Sequence, residues 1–268
     1  MTHGLITELT SRECQRYLVE GGDIALLPVG SVEALGPHLP VGGRCFVVEA
    51  FARLMAEQVG GLRMPTVAFS TAPHTFDQPG SLALPEATVD EYVRAAMDDL
   101  LAAGFRRILV VTFLGYLSYY IPQEFYEDHQ VAAAGMDMGD VLHHYGRAKG
   151  VGEDSVIVGA LVVLGKQSLA DRVMVENKRL LDGGQAGTAL PEVLRALSQA
   201  GAVGYTHPPG SYPLPPNPDL SAEAGAQVLR DAAGGLAPAV GSLREYNEFL
   251  AKRHRSRGLM WRGWRSNE

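Results

Sequence analysis

Apolar and polar positions along the chain follow two alternating periods. Ile24–Val29 (IALLPV) is a short unbroken apolar run ending at Gly30, the pattern of a strand buried on both faces. Val47–Val59 spaces its apolar residues helically and stops at Gly60-Gly61, a glycine C-cap signal. Thr66–Phe69 reads as a second strand. Thr88-Val-Asp-Glu91 has capping-box form and predicts a helix running from there to Gly104. Arg107–Thr112 (RILVVT) follows as a strand, so the 66–112 region reads as a β-α-β unit. Val156–Leu164 (VIVGALVVL) is a buried strand or an apolar helix, which periodicity alone does not separate. Further helices are expected at Thr188–Gln199, Ala222–Gly234 and Leu243–Arg253, and residues 205–219, with six prolines in fifteen positions, read as a rigid loop. With no repeat and no linker, residues 1–268 form one α/β domain with a mostly parallel sheet. Ligands of such sheets sit beyond the carboxyl ends of the strands. Gly30–Cys45, Thr71–Ser81 and Thr112–Tyr120 are therefore the segments expected to carry chemistry.

Composition narrows the partners. A chain of 268 residues buries roughly 70–75% of its unfolded surface. With 46% hydrophobic and 20% charged residues it is not a disordered chain. A net charge of −7 argues against nucleic acid and anionic membranes as partners. Cys14 and Cys45 alone exclude a disulfide framework and a cysteine-rich zinc site, and a reducing cytoplasm is the expected location. Glu8, Arg12, Glu13 and Arg16 break any signal-peptide core near the start, and Val156–Leu164 falls short of the roughly 20 residues a membrane helix needs.

Four segments carry a resemblance. Leu27–Glu49 (LPVGSVEALGPHLPVGGRCFVVE) is similar to the signature of the creatininase family, approximately LPVGS-x-E-Q-H-G-P-H-L-P-x-G-T-D, with twelve positions matching in order. Ser70–Leu84 (STAPHTFDQPGSLAL) resembles that family's S-x-x-H-x-x-F-P-G-T segment, and Gly104–Leu117 (GFRRILVVTFLGYL) resembles its GFRRIVIVNGHGGN segment. Glu153-Asp154-Ser155 resembles the end of its HAG-x-x-ETS motif. The resemblance implies a single-domain three-layer α/β/α fold, a closed homo-oligomer, most simply a hexamer, and a site with two metals that polarise an amide carbonyl and activate water. Of the ligand positions it implies, Glu33 is kept, but Leu35, Arg44 and Leu114 stand where the family has His, Asp and His. Thr112 replaces an asparagine, Tyr116 an additional glutamate, and Lys149, Gly150 and Val151 lie where a further histidine precedes ETS. Leucine binds no cation, and Arg44 sets a permanent positive charge where a carboxylate is implied. The expectation is a site with neither metal nor cofactor.

Glu33 and Arg44 are the candidate catalytic pair. They read equally as a structural salt bridge, or as an acid/base with an oxyanion or carboxylate anchor. Candidate substrate contacts are His38, read mainly as bracing the backbone, His74 in a loop over the cleft, Tyr116, and Glu153. Tyr119 and Tyr120 beside Tyr116 fill volume or line an apolar pocket. Cys45 reads as a buried thiol rather than a nucleophile. Gln123–Lys149 is expected to lack a strand and to form a solvated helix pair, with His129, His143, His144, Asp128, Asp137 and Asp140 on its surface rather than on a metal. The tail Lys252–Arg265, with Trp261 and Trp264, reads as a subunit-interface arm, and Gly183-Gly184-x-x-Gly187 is too irregular for a phosphate loop. The function expected is a metal-independent enzyme acting on a small amide, lactam or related carbonyl compound by hydrolysis, cyclisation or elimination, a role suited to specialised metabolism. The alternatives are a non-catalytic binding protein or inactive partner subunit, and metal hydrolysis with substitute ligands.

Overall fold

The computed structural model describes residues 4–72, 74–184 and 212–257, with 192, 194 and 196 as isolated positions. The expected helix Thr188–Gln199, apart from those three positions, the first part of the proline-rich loop and the tail beyond residue 257, with both tryptophans, lie outside the described residues. The elements are α1 (Ser11–Val19), β1 (Ile24–Val29), α2 (Gly43–Val59), β2 (Leu62–Arg63), α3 (Glu86–Ala103), β3 (Arg107–Thr112), α4 (Gly115–His129), β4 (Ala134–Asp137), α5 (Met138–Gly146), α6 (Glu153–Val163), α7 (Gln167–Asp182) and, last among the described residues, α8 (Ala222–Arg257). The sheet is wholly parallel in the order β2-β1-β3-β4. Ile24 through Val29 pair residue by residue with Arg107 through Thr112, and Leu109–Thr112 pair with Ala134–Asp137.

Both faces of the sheet are buried, and the strand period of two divides its side chains between them. Ile24, Leu26, Leu109 and Val111 pack with α2, α5, α6, α7 and α8. Ala25, Leu27, Val29, Ile108 and Val110 pack with α1, α3 and α4. This is the three-layer α/β/α architecture. No helix of the described residues is long and apolar enough to cross a membrane.

Several expectations are corrected by the structure. Thr66–Phe69 is not a strand. The pairing to β1 is made by Leu62–Arg63, and past Pro65, which has no N–H to give, only Val67 bridges Val29. Thr88–Glu91 is not a capping box, because α3 starts earlier, at Glu86 behind Pro85, and Thr88 lies inside its first turn. The real capping box is Thr10 with Glu13, which opens α1, a helix the apolar pattern did not reveal. Helix α2 starts at Gly43 rather than Val47, so Arg44 and Cys45 lie in its first turn. Gln123–Lys149 does contain a strand, β4, between α4 and α5. Val156–Leu164 resolves as helix α6.

Ala222–Gly234 and Leu243–Arg253 are one helix of 36 residues that runs through Pro238. Tertiary packing overrides local propensity here. Gly159 of α6 and Gly225 of α8 let the two helices touch backbone to backbone: a Cβ on Gly225 would lie 1.9 Å from the Ser155 carbonyl oxygen, and one on Gly159 would lie 2.2 Å from the Ala226 nitrogen. Neither obstacle is a side chain that could turn away. We therefore expect Gly225→Ala to destabilise the fold by about 3 kcal/mol, the upper end of the usual overpacking cost, read as a lowered urea midpoint with an unchanged slope.

Candidate functional site

The carboxyl ends of β1, β3 and β4 converge on one edge of the sheet, and the candidate residues gather there. Gly30, just past β1, admits the first turn of α2. A side chain at Gly30 would meet the Cys45 backbone, its Cβ falling 2.6 Å from Cys45 Cα. The close approach turns Arg44 toward Glu33. Glu33 is 4% exposed. Its Oε1 accepts a short hydrogen bond from Ser31 Oγ and one of 2.9 Å from Arg44 Nη1, while its Oε2 accepts from Thr75 Oγ1 at 3.2 Å.

The same guanidinium reaches the start of α6. Arg44 Nε donates to Glu153 Oε1 at 2.8 Å and Nη2 donates to Glu153 Oε2 at 3.4 Å. The plane lies over the Phe113 ring, 4.9 Å from its centroid. Burial works against the charged form of Arg44, but Glu153 and Glu33 outweigh it and hold the guanidinium above its ordinary value. The side chain remains 24% exposed. Among the described residues the remaining N–H groups on Nη1 and Nη2 have no partner. Arg44 is thus a fixed charge with donors to spare.

The sequence candidates divide. Glu33, Arg44 and Glu153 are brought into direct contact. His74 is half-buried in the loop whose next residue, Thr75, bonds Glu33. Tyr116 packs on the opposite face of the sheet, beside α3; burial first, and then the Glu86 charge, pushes its hydroxyl up to about 12. Tyr119 and Tyr120 are exposed on α4. The Cys45 thiol is pushed up to about 12, chiefly by burial and then by Glu33, and bonds the Ser31 carbonyl at 3.2 Å, which suits an inert thiol. His129 pairs with Asp98 at 2.7 Å and His143 with Arg147 at 2.6 Å.

Asp137, expected on the surface of a solvated helix pair, is instead half-buried at the sheet edge and joins the site. It ends β4 opposite Thr112 and caps α5, its Oδ1 accepting from the Gly139 amide at 2.7 Å. No side chain among the described residues bonds its Oδ2, which faces Gly115. Burial raises its carboxyl above the usual range, against the opposing pull of the Gly139 and Asp140 amides and of the Arg44 charge. The available signal was small, an aspartate placed as the N-cap of a helix two residues before a glycine.

Comparison with known proteins places the fold and the family. The sequence model of the creatininase family, described as creatinine amidohydrolase, matches residues 7–144, just over half of the chain. The chain belongs to the creatininase family. A curated creatinine amidohydrolase from Pseudomonas putida is 27% identical over 113 residues, 40% of this chain and 43% of that protein, so the match spans less than half of the relative's length. Among solved structures, a mutant creatininase shares 20% identity at a TM-score of 0.64, covering 88% of this chain and 97% of its own. A creatinine amidohydrolase (creatininase) shares 19% at 0.62, covering 90% and 98%. A manganese form of creatininase shares 19% at 0.62, covering 89% and 98%. These structures establish the fold, and family membership supports an enzyme on it.

The two-metal site that creatininases imply does not fit the residues present. Leu35 and Leu114 are buried apolar side chains at two implied ligand positions, and the Arg44 guanidinium fills the space between Glu33 and Glu153. Among the described residues no three His, Cys, Asp or Glu side chains are grouped to hold a metal ion.

His38, expected mainly to brace the backbone, makes no such bond among the described residues. It is 4% exposed and neither ring nitrogen finds a hydrogen-bond partner among the described residues. Burial lowers its value, against the partial opposition of Asp154 and Glu176. The unfolded chain therefore takes up the proton more readily than the native one. Stability is full above the free histidine value of about 6.5 and falls as pH drops from there through the lower folded value. Melting temperatures from pH 8 to 5 should show this loss, and His38→Met should flatten it. An unchanged profile in the variant would exclude His38 as its source.

Proposed function

We propose that this creatininase homologue is a metal-independent enzyme acting on a small amide, lactam or related carbonyl compound. The observation that carries this reading is the Arg44 guanidinium, held by Glu33 and Glu153 with donors left over. In the family the charge that polarises a carbonyl comes from metal. Here Arg44 supplies it, already oriented, so that little reorganisation is needed as the carbonyl oxygen gains charge. For hydrolysis, the Asp137 carboxylate takes a proton from water as the water oxygen bonds to the carbonyl carbon. The oxyanion then forms against the free N–H groups of Arg44. Its collapse breaks the C–N bond, and Asp137 returns the proton to the leaving nitrogen. Glu33, its oxygens engaged by Ser31, Thr75 and Arg44, positions the guanidinium.

That full engagement of Glu33 is also the observation favouring the alternative, a non-catalytic binding protein or inactive partner subunit. The reading further includes a homo-oligomer, a hexamer by family resemblance. It is supported by the exposed Phe69, Phe76, Leu82 and Leu84 along the loop that carries Thr75. Light scattering should give a multiple of 28.7 kDa, and a monomer mass would remove that part.

Turnover decides between the two readings. Against a panel of creatinine, hydantoins, lactams and small amides, chelator-treated protein should retain full activity. Arg44→Met should lower kcat by about 10²–10³ and Asp137→Asn by about 10²–10⁴. Arg44→Met should also cost about 3–5 kcal/mol of stability by stranding Glu33. A rate per folded molecule that survives Arg44→Met would end the catalytic role. Activity lost to chelator and restored by zinc or manganese would end the metal-independent one.

A further inference from the structure

Beside the Arg44–Glu153 pair lies a cavity of about 410 Å³, wide open to solvent, whose walls come from the residue after β3, α5, the turn after it and the start of α6. That volume falls within the range of small-molecule sites. Its floor is apolar, made by Phe113, Leu142 and Val151, and its inner wall carries Glu153, the carboxylate that Arg44 holds. Arg44 covers one face of the Phe113 ring, so the cavity and the guanidinium share that side chain. The outer rim carries His143 and Arg147, one helical turn apart. Arginine only donates, so His143 Nε2 accepts from Arg147 Nη1 at 2.6 Å, which holds the guanidinium beside the imidazole at the rim. Among the described residues no carboxylate lies within ion-pair distance of Arg147. Gly150, in the left-handed region at φ 67°, and Gly152 leave the third side of the cavity without side chains.

The polarity of this cavity is directional. A cation stands at the rim, an apolar floor lies between, and at the inner end a carboxylate bordering a second cation. An anion is attracted at the rim and repelled by Glu153 further in, so a bound molecule has only one favourable orientation. We propose that the cavity is a substrate pocket for a small carboxylic acid with a flat apolar body, its carboxylate on Arg147, its body against Phe113, Leu142 and Val151, and its reacting carbonyl past Glu153 at Arg44. A planar guanidinium binds a carboxylate through two parallel bonds, which a point charge does not reproduce. This assignment rests on the enzymatic reading for its reacting end. The anion pocket itself is tested without turnover.

The probes are benzoate, phenylacetate and 3-phenylpropionate, with benzamide as the neutral isostere, titrated into the full chain and followed by calorimetry and backbone amide shifts. The carboxylates are expected to bind with millimolar or tighter affinity, with shifts centred on residues 139–153, and benzamide about tenfold more weakly or worse. Arg147→Met should weaken the carboxylates by about tenfold or more and leave benzamide unchanged, and Phe113→Ala should weaken both. Arg147 is exposed, so its variants are expected to fold; circular dichroism checks this, and Arg147→Lys, keeping charge without the fork, should fall between wild type and Met. Absence of binding, shifts elsewhere, or carboxylate affinity indifferent to Arg147 would overturn the pocket. Arg147-dependent binding in a protein whose turnover survives Arg44→Met would uphold the pocket while removing the catalytic reading.

Discussion

A buried carboxylate at the end of the first strand sets the terms for the whole cleft. Glu33 is cut off from water, and an isolated ionised carboxylate in that position would not be tolerated. Arg44 answers it, and in doing so it connects separate parts of the chain. Its partners are the loop after β1, the first residue of α6 and the ring that follows β3, while Thr75 brings in the loop between β2 and α3. Exchanging a buried pair for apolar side chains is often neutral in stability, but removing one partner is costly. The pair is therefore better understood as a device that fixes one arrangement of these segments than as a source of net stability.

How much of this was legible in the sequence depends on what each element is made of. β1 and β3 are unbroken apolar runs because both of their faces are buried, and they stand where the pattern put them. β4 was missed because it is a half-buried edge strand of four residues. Its Gly135 is required by α4, since a Cβ there would fall 1.8 Å from the Ser118 carbonyl oxygen, yet glycine reads locally as a breaker. The glycines and Pro238 of α8 misled for the same reason: contacts with α2, α5 and α6 hold the helix through them. In the site, Glu33 and Arg44 are eleven positions apart within one motif and could be paired by reading. Glu153 is 109 positions from Arg44, and only the family resemblance pointed to it. Asp137 had no such pointer, and depended on β4 being recognised.

On the proposed reading, the exchange of a metal for a guanidinium has a chemical consequence. A divalent cation performs two tasks in a hydrolase: it polarises the carbonyl, and it lowers the pKa of bound water so that hydroxide is available near neutrality. Arg44 can perform the first, because a fixed donor beside a developing oxyanion stabilises it well. It cannot perform the second, since it neither coordinates water nor gives up a proton. A site built on this arginine must therefore find a base elsewhere. Glu33 already accepts bonds on both oxygens, and Glu153 accepts on both of its own. Among the described residues Asp137 keeps one oxygen without a side-chain partner, at the same sheet edge, and burial raises its carboxyl above its ordinary value, the direction that favours a base able to return its proton. On the proposed reading, the loss of the metals and the placement of Asp137 are one requirement: the charge passes to the first turn of α2, and the proton passes to the end of β4.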